Sequence, residues 1–143
     1  MAAKILKDEI YEQVELISEM GNDFADDEEY AAAIEKFKEA LELVPEPKHE
    51  WEAGTWLYSS IGNMYFMLDD YENAGKYFNN AIQSQEGKLN SFNQMRLGQS
   101  SLEMKQEDKA LEHLLKAYRM GGKGLFAEED TKYLAFLSKR VKL

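Results

Sequence analysis

Cysteine is absent from the 143-residue chain. That excludes a disulfide framework, an iron–sulfur site and any thiolate zinc site, so the fold must hold by packing alone, and the cytosol is the expected compartment. Residues suited to sheet are scarce: Val, Ile and Thr together number 11, against 14 Ala, 16 Leu, 19 Glu and 14 Lys. With only two prolines to interrupt it, this composition favours helix. Long apolar runs are missing too. None exceeds five residues, where a membrane span needs about 20. No apolar stretch near Lys4 and Lys7 has the character of a signal-peptide core, so a soluble intracellular protein is expected. The 44% of apolar residues that are present suffice for one domain, which at this length buries roughly 68% of its unfolded surface.

Basic residues are lacking mainly at one end. Residues 1–52 carry sixteen acidic and five basic side chains, a net −11, whereas residues 53–143 carry eleven and twelve, a net +1, giving the overall −10. An acidic end repels phosphate backbones and anionic lipid, because binding to either works through Lys and Arg contacts. Nucleic acid and membrane are therefore not expected partners. A basic protein surface would be steered in.

Sliding the chain on itself brings three segments into register. Gly21, Gly62 and Gly98 are each followed by Ala or another small residue after 12 positions (Ala33, Ala74, Ala110), a large apolar residue after 16 (Phe37, Phe78, Leu114) and Ala after 19 (Ala40, Ala81, Ala117). Gly and Ala at this spacing let two antiparallel helices approach closely while the large residue fills the layer between neighbouring pairs. Further matches are Ile17, Met20 and Phe24 in the first copy, Tyr58, Ile61 and Tyr65 in the second, and Leu97 in the third.

This pattern resembles the tetratricopeptide repeat, a helix–turn–helix unit of about 34 residues. The resemblance covers residues 14–124, with repeats at about 14–47, 55–88 and 91–124. The first copy matches throughout to its closing Pro45, the second loses only that proline, to Glu86, and the third departs at Gln94, Ser101 and Gly122. It implies an all-α, right-handed solenoid of three helix hairpins with about seven helices in one domain. A helical extension over residues 2–13 is expected before it. A capping helix at about 127–141, carrying Tyr133, Leu134, Phe136, Leu137 and Val141, is expected after it. The seven extra residues between the first two copies hold Pro45 and Pro47, which predict a helix stop and then a first helix of repeat two lengthened by about two turns. Asp70 is placed to cap the helix from Tyr71, and Asp26 with Glu29 reads as a capping box.

Nothing in the sequence supports catalysis or a cofactor. His49 and His113 are the only histidines, and a metal site needs more converging ligands. The resemblance implies that His113 turns outward. The acidic run Asp23, Asp26, Asp27, Glu28, Glu29 lacks the alternate spacing, central Gly and closing Glu of a calcium loop. In Gly121-Gly122-Lys123-Gly124 the residue after Lys123 is not Ser or Thr, so a helix stop explains it better than a phosphate loop.

Function in this family lies on the concave face formed by the first helix of each pair. Transferred residue by residue, that implies a groove acidic at Glu15 and Glu19 with Asn22 beside them, aromatic in the middle at Trp56, Phe66 and Phe92 with Met67 and Met95, and carrying Arg96, with Asn63 and Gln99 to hold a partner's backbone. Exposed aromatic and Met clusters are typical interface anchors. The competing arrangement folds the terminal helix, or the lengthened helix of repeat two, over this stripe. Some family members grip an acidic C-terminus with Lys, Arg and Asn. Here only Asn22 and Arg96 of that clamp are present, so an acidic-tail ligand is disfavoured.

The expectation is a monomeric, non-catalytic protein-binding module without cofactor or metal, whose partner presents a basic surface. A loose resemblance of the C-terminal segment to small bacterial repeat proteins, some of them immunity partners of toxins, implies an inhibitor masking a basic toxin domain. A general peptide-binding adaptor is the alternative. On this reading Trp56→Ala, Phe92→Ala and Arg96→Glu weaken capture and leave stability nearly intact.

Overall fold

The three repeated glycines mark helix crossings. A methyl group built on Gly21 would stand 2.7 Å from the Phe37 ring, one on Gly62 2.9 Å from Phe78 and one on Gly98 2.6 Å from Leu114 in the computed structural model, which describes residues 2–143. Only glycine permits these contacts. Around them the described residues form eight α-helices: α1 (Asp8–Asp26), α2 (Tyr30–Glu42), α3 (Glu52–Met67), α4 (Tyr71–Ala81), α5 (Gln85–Lys88), α6 (Ser91–Glu103), α7 (Glu107–Gly121) and α8 (Thr131–Ser138). Helices α1 and α2, α3 and α4, and α6 and α7 pack as hairpins, α2 lies against α3 and α4 against α6, and α8 closes against α7. This is the expected all-α solenoid of three hairpins and a cap. The six repeated alanines are fully buried, as are Phe78 and Leu114, with Phe37 nearly so.

A second repeated feature is invisible in the residue types. The turn inside each hairpin carries one residue with positive φ, at Glu28 (60°), Asp69 (59°) and Lys105 (62°), each seven positions after its glycine. The next amide then reaches back across the turn, Glu29 to the Phe24 carbonyl, Asp70 to Tyr65 and Gln106 to Ser101, at 2.8–2.9 Å. These bonds satisfy carbonyls that a helix end leaves free, and the same geometry three times gives the three hairpins one shape.

Several local expectations are corrected. Residues 2–7 are not helical: Lys4 lies extended beside Trp51, donating its amide to the Glu50 carbonyl and accepting from the Glu52 amide. The insertion after α2 does not lengthen the next helix by two turns. It forms a 3-10 turn at Lys48–Glu50 before α3 starts at Glu52, and Gly54 is the point of contact, since a methyl there would meet the Lys48 carbonyl at 1.9 Å. The Lys48 ammonium returns to cap α2, donating to the Leu41 and Val44 carbonyls. Asp26 ends α1, and Glu29 makes no side-chain cap, so the pair is not a capping box; Asp70 does cap α4, accepting from the Asn73 amide at 3.2 Å. The terminal helix spans Thr131–Ser138, shorter than expected.

The departures in repeat three have a polar solution. Gln94 donates to the Lys88 carbonyl and pairs with His113 Nδ1 at 2.7 Å, so His113 is buried rather than turned outward. Burial pushes the imidazole pKa down from 6.5, which makes this a hydrogen-bonded core histidine. Ser101 donates to the Leu97 carbonyl.

Candidate protein-binding groove

The resemblance assigns the concave face to the first helices of the hairpins, α1, α3 and α6, and the surroundings of that face differ between the two ends of the chain. In the C-terminal half the chain occupies its own groove. Arg96 on α6 is sandwiched between two rings, its guanidinium carbon 4.2 Å from the Phe66 centroid and 4.9 Å from that of Phe92. It donates to Asn63 Oδ1 (3.0 Å), Gln99 Oε1 (2.8 Å) and Glu129 Oε1 (2.5 Å), and Gln99 donates to the same Glu129 oxygen at 2.9 Å. Glu129 arrives from the segment between α7 and α8. Next to it, Tyr133 of α8 donates to Glu103 at 2.7 Å and Lys132 pairs with the same carboxylate. Burial, followed by that carboxylate, drives the Tyr133 pKa strongly upward.

Met95, Arg96 and Gln99 are therefore buried, and Phe92, Phe66 and Asn63 are half-buried and engaged within the chain. Phe66 also packs edge-on against Tyr71, and Phe92 against Phe78. The expectation that Met95, Arg96 and Gln99 face a partner is corrected: Met95 belongs to the core cluster with Leu114 and Phe126, and Arg96 and Gln99 turn to Glu129. An arginine among aromatic rings needs an anion, and Glu129 supplies it from the same chain.

The N-terminal half is open. Glu15, Glu19 and Asn22 lie exposed along one side of α1, and Met67 is exposed at the end of α3. Trp56 is half-buried and lines a cavity of about 320 Å³ with Ile5, Leu6, Asp8, Tyr11, Glu52 and Ala53. Tyr11 and Glu52 escaped the sequence reading. Tyr11 had a signal, since it precedes Glu15 by one helical turn and so shares its face. The Glu15 carboxylate beside it, with a smaller contribution from Glu52, raises the phenol pKa. Among the described residues no ion pair involves Asp8, Glu15, Glu19 or Glu52, and no group of three or more His, Asp or Glu is placed to hold a metal. Nor is any helix among them long and apolar enough to cross a membrane.

Neither a protein-family model nor a curated protein sequence matches the chain. Solved structures do. The type III secretion chaperone SycD of Yersinia enterocolitica, solved with a peptide of the translocator YopD, superposes with a TM-score of 0.70 at 13% identity over 90% of this chain and 92% of that one. The second TPR domain of human RPAP3, solved with an HSP70 peptide, gives 0.67 at 19% identity over 91% and 96%. The Sgt2 TPR domain from Aspergillus fumigatus gives 0.66 at 20% over 89% and 76%. Likeness at such identities is a likeness of backbone, and together with the glycine crossings and the thrice-repeated turn it establishes that this chain has the tetratricopeptide-repeat fold.

Proposed function

We propose that the protein is a non-catalytic binding module that receives a partner protein with a basic surface on the open, N-terminal half of its concave face. The observation that carries this reading is the unpaired acidity of α1: Glu15 and Glu19 are exposed, and no ion pair among the described residues neutralises them. Unneutralised carboxylates lining a concavity focus the field and speed the approach of a cationic partner. The fold supports a use in holding polypeptide, since SycD and RPAP3 were solved with peptides in complex. The acidic end further fits an inhibitor or immunity protein that masks the basic cleft of a toxin, acting as a monomer in the cytoplasm. A general adaptor is the second reading, favoured by those peptide-bound relatives in fold.

Capture from source-cell lysate with the wild-type chain and a Glu15→Lys/Glu19→Lys chain as baits tests it. A basic partner recovered about tenfold less well by the variant, with capture falling as salt rises, is expected. Equal recovery by both baits overturns the reading. One basic partner that loses toxicity on binding identifies the inhibitor; several partners sharing a short segment identify the adaptor.

A further inference from the structure

We infer that the cavity between the start of α1 and the start of α3 is a socket for one arginine side chain of the partner, an assignment that rests on the groove reading above and gives it an anchor point. Its walls combine two chemistries. Tyr11 and Trp56 supply aromatic rings, Ile5, Leu6 and Ala53 supply aliphatic surface, and Asp8 and Glu52 supply exposed carboxylates at the rim. Among the described residues no cationic side chain lines it. Lys4 is held nearby by Glu50 at 2.9 Å and lies over Trp51 instead.

An apolar socket with an acidic rim suits a side chain that has an aliphatic stem and a cationic head. Of the two candidates, guanidinium is planar, weakly hydrated, able to stack on aromatic rings and able to meet a carboxylate with two parallel bonds. The chain itself shows the combination at the other end of the same groove, where Arg96 sits between Phe66 and Phe92 and bonds to Glu129. The volume of about 320 Å³ accommodates a single long side chain rather than a helix. Helix-start positions alone account for Asp8 and Glu52, which are favourable in the first turns of α1 and α3. They do not account for the Glu15 carboxylate one turn further on, beside Tyr11.

The full chain, labelled with ¹⁵N, is titrated with the N-acetylated, C-amidated pentapeptide Ala-Leu-Arg-Leu-Ala and with the same peptide carrying lysine or citrulline in place of arginine, the citrulline keeping the shape and removing the charge. The arginine peptide is expected to move the Trp56 indole and Tyr11 amide resonances saturably, with the citrulline peptide binding at least tenfold more weakly and the lysine peptide in between. Asp8→Asn/Glu52→Gln should erase most of the difference between arginine and citrulline. Equal binding of the arginine and citrulline peptides, or shifts confined to Glu19–Glu29, overturns the assignment, and both arms use the unmodified protein. Loss of partner capture by the Glu15→Lys/Glu19→Lys bait with no response at Trp56 would leave the groove reading standing and remove the socket.

Discussion

Arg96→Glu is expected to lower the unfolding free energy by about 3 kcal/mol or more, because breaking a buried ion pair from one side leaves its partner charge uncompensated. Arg96 and Glu129 side chains are 10% and 18% exposed, so neither regains full hydration when the other is lost. The substitution also places a second carboxylate against Glu129 and removes the cation that stacks on Phe66 and Phe92. Loss should begin locally, in the segment 123–138 that Glu129 tethers, and appear as fast amide exchange through α8 before the first two hairpins open. Arg96→Met should cost less than Arg96→Glu, since the thioether stays compatible with the two rings while only one unpaired charge remains. This expected loss differs from the sequence-based expectation for Arg96→Glu, weaker capture at unchanged stability. A melting curve for the two variants together with exchange of the α8 amides checks it.

Phe78→Ala is expected to cost about 4 kcal/mol, the range for truncating a fully buried phenylalanine, because the ring fills space on two sides at once. One side is the Gly62 crossing within the second hairpin; the other is the Phe92 ring of the third, at 6.1 Å between centroids and tilted 69°. The variant should therefore loosen the hairpin and its junction with α6 together, and unfolding should stay cooperative only across the first hairpin. Gly62→Ala fails for the complementary reason, by overpacking against the same ring. Combined with Phe78→Leu, whose smaller side chain vacates space near the new methyl, Gly62→Ala should cost less than the two single losses added. Urea unfolding of the single and double variants measures this coupling.

The repeat was legible because it is written in residue size. Glycine opposite a large apolar residue, with alanines at fixed offsets, is a local packing rule, and Gly21–Phe37, Gly62–Phe78 and Gly98–Leu114 obey it in the structure. The turns were less legible, since Glu28, Asp69 and Lys105 adopt positive φ without the glycine that usually signals it. Burial of the candidate site residues was legible only in part. Glu15, Glu19 and Asn22 are exposed on α1, as their polar side chains suggest. The burial of Arg96 depended on a contact between residues 33 apart, Arg96 to Glu129, and no periodicity in the sequence announces it. A capping helix was foreseen from its apolar residues. That its approach brings a carboxylate into the groove was not, because a single Glu in an acidic stretch carries no positional signal. The extended segment at Lys4 was missed for a similar reason: its partner is the backbone beside Trp51, which pairs without regard to side chains.

The division of the groove into a self-occupied half and an open half is the claim on which the functional reading stands. Amide hydrogen exchange of the protein bound to its captured partner, compared with the free chain, tests it most directly. Protection is expected to rise along α1 and the first turns of α3, around Tyr11, Glu15, Glu19, Asn22 and Trp56, while α6 and α8 remain as in the free chain. Protection gained instead on the outer helices α2, α4 and α7, or a release of α8 as the partner enters beside Arg96, would contradict it.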